Sequence, residues 1–299
     1  MPLTGLAVTD PAKATRPALV VKIDNHPQAR PQVGLNHADI VFEENVESLT
    51  RFAAVFHSDD ADPVGPIRSA RTQDVLLLGS LGQPLFSWSG GNRGVSEAVR
   101  ASQMVDIGAP LQPRAYFRDR RGRRVDVEHT LFSRTKDLYA LAPPVPLAVP
   151  GPQFEYRAPD DVVAGRESPG ADLAMDNVAV GWRWAPMLGA YLRTQGNRPH
   201  DTQDAGQVSA ANVIILEVEY RPSPAAAGSP EAQTIGSGRV TVLSGGKVVT
   251  GNWTRPELTA NYSLVADDGQ LVLLTPGRTW IELARQGATT VLPASVVAG

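Results

Sequence analysis

Three short stretches of the sequence hold residues able to do chemistry. In "KIDNHPQARPQVGL" (22–35), Asp24, His26 and Arg30 follow an apolar run within seven positions. A carboxylate beside an imidazole can move protons, and an arginine can hold an anion. The plainer alternative is an Asx turn stiffened by Pro27 and Pro31. In "FEENVESLTRF" (42–52), Glu43, Glu44 and Glu47 precede Arg51. Successive strand residues face opposite ways, so only one of Glu43 and Glu44 can join the side of the sheet that carries Asp24. Glu44, in phase with Phe42 and Val46, is the expected one, paired with Arg51 or Arg68.

The third stretch, "GPIRSAR" (65–71), sets Arg68 and Arg71 around Ser69 before an expected helix carrying Val75 to Leu78. Two guanidiniums beside free N–H groups make a cradle for phosphate or carboxylate. A structural ion pair with one of the glutamates is the simpler role. Ser89, Gly90, Gly91 and Asn92 of "SWSGGN" read as a loop that a ligand can approach closely, since the G-x-S-x-G frame of a nucleophile elbow is missing. His129 is placed to close the pocket. The catalytic candidates are Asp24, His26 and Glu44; the ligand-binding candidates are Arg30, Arg51, Arg68, Ser69, Arg71, Ser89, Gly90, Gly91, Asn92 and His129. No metal or other cofactor is expected, because no H-x-x-x-H or clustered-carboxylate spacing occurs.

These side chains need a scaffold. "RPALVVKID", "ADIVFEENV", "TRFAAVFHS" and "PLFSWSGGN" predict strands, and "VSEAVRASQM" and "RTKDLYALA" predict helices. The first half is therefore expected to be an α/β domain, a layered mixed sheet with helices, over 1–141. Prolines at 143, 144, 146, 150, 152 and 159 predict a linker over 142–174. Residues 175–299 read as a mainly antiparallel β domain, with a mobile loop over 222–233 and Trp182, Trp184, Trp253 and Trp280 in its core. The arginine-rich "RDRRGRR" (118–124) reads as a solvated hairpin tip.

The chain has 299 residues, a formal net charge of −3 and no cysteine. The charge argues against a nucleic-acid partner, and the missing cysteine excludes disulfides, thiol nucleophiles and a lipidated cysteine in this sequence. No run of about eighteen apolar residues predicts a transmembrane segment.

With "LTGL" (3–6), "VKIDNHPQARPQVGL" (21–35), "ADIVFEENVE" (38–47), "TRFAAVF" (50–56), "GPIRSAR", "SGGN" (89–92), "NVIIL" (212–216) and "PGRTWIEL" (276–283), the sequence resembles the YerB-type family of bacterial lipoproteins, a two-part family of unknown function. The resemblance implies an extracytoplasmic protein, membrane-tethered or secreted, whose full-length precursor carries a signal segment and a lipid tether. It supplies no catalytic residues, so whether the chain is an enzyme stays open. The expected function is a cell-envelope protein binding an anionic small molecule or envelope glycan. The alternatives are a hydrolase or phosphotransferase acting on an envelope glycan or lipid-phosphate, and an envelope scaffold.

Overall fold

The computed structural model describes residues 1–294; the last five residues of the expected β region, 295–299, lie outside them. Strands β1 (Leu19–Asp24), β2 (Ile40–Val46) and β3 (Leu49–Phe56) form where the sequence predicts them. Their near-continuous apolar runs are buried on both faces, as in the middle of a layered sheet. A two-residue turn, Glu47 and Ser48, joins β2 to β3, and Glu47 takes the left-handed φ of 41° that such tight turns use. β4 (Leu85–Ser87) and β5 (Val105–Asp106) continue the sheet in parallel beyond β1, alongside helices α1 (Thr72–Leu77) and α2 (Arg93–Ala101).

The second half is mostly antiparallel. It comprises β6 (Gly170–Met175), β7 (Val178–Ala185), β8 (Ala190–Gln195), β9 (Asn212–Val218), β10 (Gly236–Ser244), β11 (Lys247–Arg255), β12 (Ser263–Ala266), β13 (Thr279–Arg285) and β14 (Thr289–Val291). Both halves contribute to one eleven-stranded sheet, whose main path runs β12-β11-β10-β9-β13-β2-β3-β1-β4-β5. The seam is the parallel pair β2 and β13, with Glu43 opposite Glu282. A six-stranded sheet built on β6, β7, β8 and β14 packs over one face, and α1 and α2 over the other.

Register assigns the faces. Asp24, Arg51 and Glu44 are cross-strand neighbours in one row, while Ile23, Phe52, Glu43 and Glu282 form the next row on the opposite face. Glu44 therefore shares a face with Asp24, as its phase predicts.

Three local expectations change. α1, expected to carry Val75 to Leu78, ends at Leu77 and starts at Thr72, with Arg71 at its cap and the Asp74 carboxylate accepting the Arg71 N–H at 2.7 Å. The 222–233 stretch, expected as a mobile loop, is paired: Tyr220–Ser223 lies against Ala226–Ala232. The proline-rich stretch has no helix or strand from 143 to 165, as expected, but the linker read over 142–174 ends earlier, since β6 begins at Gly170, and the stretch buries Phe154.

Two buried histidines make the fold acid-sensitive. Burial lowers His57 from 6.5 to about 4, and burial with Arg193 and Arg30 nearby pushes His200 well below its ordinary value. Between pH 6.5 and 4 the unfolded chain binds protons that the folded chain refuses, so stability falls as pH falls through that window. The expected loss is on the order of 2 kcal/mol, read as a lower urea midpoint at pH 4.5 than at pH 7. An unchanged midpoint would contradict it.

Candidate functional site

Asp24 ends β1 and is buried. Its Oδ1 accepts the His26 N–H at 2.9 Å, so the turn expected of "IDNHP" does form. The same side chain also reaches outward. Oδ2 lies 2.6 Å from His129 Nδ1 and 3.3 Å from Arg68 Nε. His129, on the turn Val127–His129, lays its ring on that of His26 with centroids 4.2 Å apart and planes within 5°.

The hydrogen bonds set the tautomers. A carboxylate can only accept, so His129 presents an N–H on Nδ1 to Asp24, and in the neutral tautomer that this bond selects the lone pair is on Nε2. His26 Nδ1 accepts the Gln28 N–H at 3.2 Å, which leaves its proton on Nε2. Burial and the neighbouring His129 and arginines lower the His26 pKa against the pull of Asp24, so this ring is neutral at pH 7.

Arg51 forms the floor. It is 8 % exposed, its Nη1 donates to the Ser69 carbonyl at 2.8 Å, and among the described residues no carboxylate lies within 4.0 Å of it. Burial, then Arg71, pulls its pKa down to about 10, with Asp24 opposing and Arg68 adding to the decrease. The ion remains charged at neutral pH but lacks a close counter-charge. Asp24, His26, Arg51, Arg68 and His129 line a cleft of about 70 Å³, rimmed by Glu47 and Ser48. That volume holds on the order of five water positions, or one oxyanion group of a ligand whose remainder extends through the open mouth.

Other candidates lie elsewhere. Glu44 is fully buried below the cleft, where it and Asp74 flank the Lys22 ammonium; its partner is Lys22, not Arg51 or Arg68. Arg71 is held by both oxygens of Glu47 at 2.9 Å and by Ser229 at 3.1 Å. Arg30 is half-buried in the frame of the loop: burial, then the like charge of Arg193, lowers its pKa, with Glu43 and Asp24 opposing, and its carbonyl accepts from Arg123. Ser89 touches the site only through the Arg68 carbonyl and a 3.5 Å approach to Ser69 Oγ. The Gly90 carbonyl accepts from the Ala70 N–H, Gly91 packs near Trp88 and Val95, and Asn92 caps α2, its Oδ1 accepting the Val95 N–H at 2.9 Å. The "SGGN" loop is therefore a brace behind the Arg68–Ser69 segment. No group of three His, Cys, Asp or Glu side chains among the described residues is placed to hold a metal ion.

Comparison with known proteins was decisive on family. The N-terminal domain of a protein of unknown function, DUF3048, matches residues 3–144, and the C-terminal domain of the same family matches residues 171–281. The chain belongs to the DUF3048 family. It is 28 % identical over 292 residues to "Putative lipoprotein YerB" of Bacillus subtilis, covering 94 % of this chain and 85 % of that protein. The crystal structure of the YerB protein from Bacillus subtilis matches with a TM-score of 0.85 at 23 % identity, over 98 % of this chain and 99 % of that one.

Two features of this DUF3048 chain escaped the sequence reading. Arg121 and Arg123 of the supposed solvated tip fold back on the 26–32 loop. Arg121 donates to the carbonyls of Ala29, at 3.1 Å, and Pro31, and Arg123 to those of Gln28, at 3.3 Å, and Arg30. They staple the loop that carries His26. On the opposite face, Arg193 from β8 is fully buried and grips both oxygens of Glu43 at 2.8 Å, with His200 Nδ1 at 2.6 Å. Burial, reinforced by Glu43, holds Glu282 far above the carboxylate range, so it keeps its proton. The Trp182 and Trp280 indoles donate to Glu282 and Glu43 at 2.8 and 3.2 Å. A glutamate inside "TWIEL" was the available signal for the second: a charge within an apolar strand must find a buried partner.

Proposed function

We propose that this protein binds a phosphate- or carboxylate-bearing ligand of the cell envelope in the Asp24–His129 cleft, on the extracytoplasmic side of the membrane. One observation carries the binding: Arg51 is a buried guanidinium at the floor of an open cleft, with one backbone hydrogen bond and, among the described residues, no carboxylate oxygen within 4.0 Å of its nitrogens. Leaving such a charge unpaired is costly, and an incoming oxyanion would satisfy it with charge-assisted hydrogen bonds. Arg68 stands at the same wall, on Asp24, and the neutral His26 offers an Nε2–H donor. The lipoprotein name of the Bacillus subtilis relative supports the location. No described helix is long and apolar enough to cross a membrane, so a tether rather than a helical span fits this part of the chain.

Calorimetric titration with inorganic phosphate at low ionic strength tests the reading. Wild type should give a saturating one-site isotherm that weakens with salt. Arg51→Gln should bind about 10- to 100-fold more weakly, the worth of a hydrogen bond to a charged group. A flat isotherm for phosphate and for acetate alike would remove the proposal.

A further inference from the structure

We propose that the cleft hydrolyses a phosphoanhydride, with His129 taking a proton from the attacking water. This rests on the anion-binding reading above and extends it to chemistry. The base is assigned by geometry: Asp24 fixes His129 through Nδ1 at 2.6 Å, and the stacked His26 ring at 4.2 Å prevents the imidazole from turning over, leaving the Nε2 lone pair at a cleft-lining residue. A neutral imidazole oriented by a carboxylate is the arrangement that activates a hydroxyl or water.

The class of substrate follows from what the cleft lacks. An alkoxide leaving group needs a proton as it departs, and, His129 being engaged in taking the proton of the attacking water, no other side chain lining this cleft is placed to give one. His26 is neutral and uses Nδ1 as an acceptor. Glu47 is clasped by Arg71, which holds it below the usual carboxylate range against the opposing effect of its partial burial. Ser48 and Thr50 offer only weakly acidic hydroxyls, and Thr50 already donates to Glu43 at 2.8 Å. What the cleft has is cations. Arg51 and Arg68 stabilise a group that leaves as an anion, which a phosphate does and an alcohol does not.

The step balances without a co-reactant. The water oxygen bonds to phosphorus, and the bridging P–O bond breaks with its electron pair passing to the leaving phosphate. The water proton goes to His129 Nε2 and then to solvent. Arg51 and Arg68 hold non-bridging oxygens of the leaving phosphate as its charge grows, and the His26 N–H holds one on the attacked phosphorus.

The test uses the whole chain, with inorganic pyrophosphate as probe and methyl phosphate as the alkoxide-leaving control. Phosphate release from pyrophosphate is expected, with none from methyl phosphate. His129→Gln, whose amide can still donate to Asp24, should slow release at least about 100-fold while pyrophosphate affinity stays within about threefold. His26→Phe, which keeps the stack and removes the donor, should slow it about tenfold or more and covers the case in which His129→Gln fails to fold. Bound pyrophosphate with no release, or release unchanged in both variants, overturns the hydrolysis and leaves the binding reading standing. Equal turnover of methyl phosphate overturns the anhydride assignment. Absence of pyrophosphate and phosphate binding overturns both readings.

Discussion

Arg193→Met is expected to lower the unfolding free energy by about 3–5 kcal/mol, the largest stability effect of any single substitution considered for this chain. Arg193 lies fully buried between the two sheets, near Phe52 and Trp280, at 5.7 and 5.4 Å from their ring centroids. Methionine fills similar apolar space but leaves the Glu43 carboxylate buried without its cation. The cost is that of an unpaired buried charge, not of a cavity. Marginal stability of about 5–15 kcal/mol makes such a loss visible as a drop of roughly 10 °C or more in calorimetric Tm. Adding Glu43→Gln to Arg193→Met should restore a substantial part of the loss, because the two residues are coupled directly at 2.8 Å. A loss below about 1 kcal/mol for Arg193→Met would mean that water or a proton already compensates Glu43.

Asp24→Asn carries the largest expected effect on activity. The Asp24 carboxylate holds His129, Arg68 and the His26 backbone at once, at 2.6, 3.3 and 2.9 Å. An amide offers its nitrogen or its oxygen to His129 but no charge, so the ring loses the constraint that keeps the Nε2 lone pair at the cleft. Pyrophosphate hydrolysis should fall by about 10³–10⁴-fold, the scale seen when the carboxylate behind a catalytic histidine is neutralised. Phosphate binding should hold or strengthen, because a negative charge beside the anion is gone. Opposite movement of turnover and affinity is the signature. If both fall together, Asp24 acts by keeping Arg68 in place, and the histidine has no special part.

Much of this architecture was legible because it depends on local rules. Val, Ile, Leu and Phe runs ending at Asp24, Val46 and Phe56 define central strands, and their period-two phase puts Glu44 and Asp24 on one face before any coordinates are seen. Phase does not say how deep a residue sits. Glu44 has the right face and the wrong level, because Lys22, two residues before Asp24, takes it first. The seam between the halves was out of reach for a similar reason. Nothing local in "TWIEL" announces that it pairs in parallel with "IVFE" some 240 residues away, although a glutamate in so apolar a strand signals that some buried partner exists.

The convergence of the candidate residues was half legible. Asp24, His26, Arg51, Arg68 and His129 do meet, whereas Arg30, Arg71 and the "SGGN" loop serve the frame. Sequence spacing places residues along one element, so it identified the aspartate–histidine turn. It could not show that a second histidine, 103 positions beyond His26, would stack on the first. Arg121 and Arg123 illustrate the converse error: charge at a hairpin tip reads as solvation until backbone carbonyls of another loop come within reach.

The central claim, that an oxyanion seats on Arg51 and Arg68, is tested most directly by following arginine side-chain Nε–H resonances during a phosphate titration. Arg51 and Arg68 should shift together along one saturating curve, with the imidazole resonances of His26 and His129 moving at the same midpoint. Arg221 and Arg239, which sit in exposed ion pairs with Glu219 and Asp267, should not saturate with them. Shifts confined to such exposed arginines, with Arg51 and Arg68 unmoved, would contradict the claim.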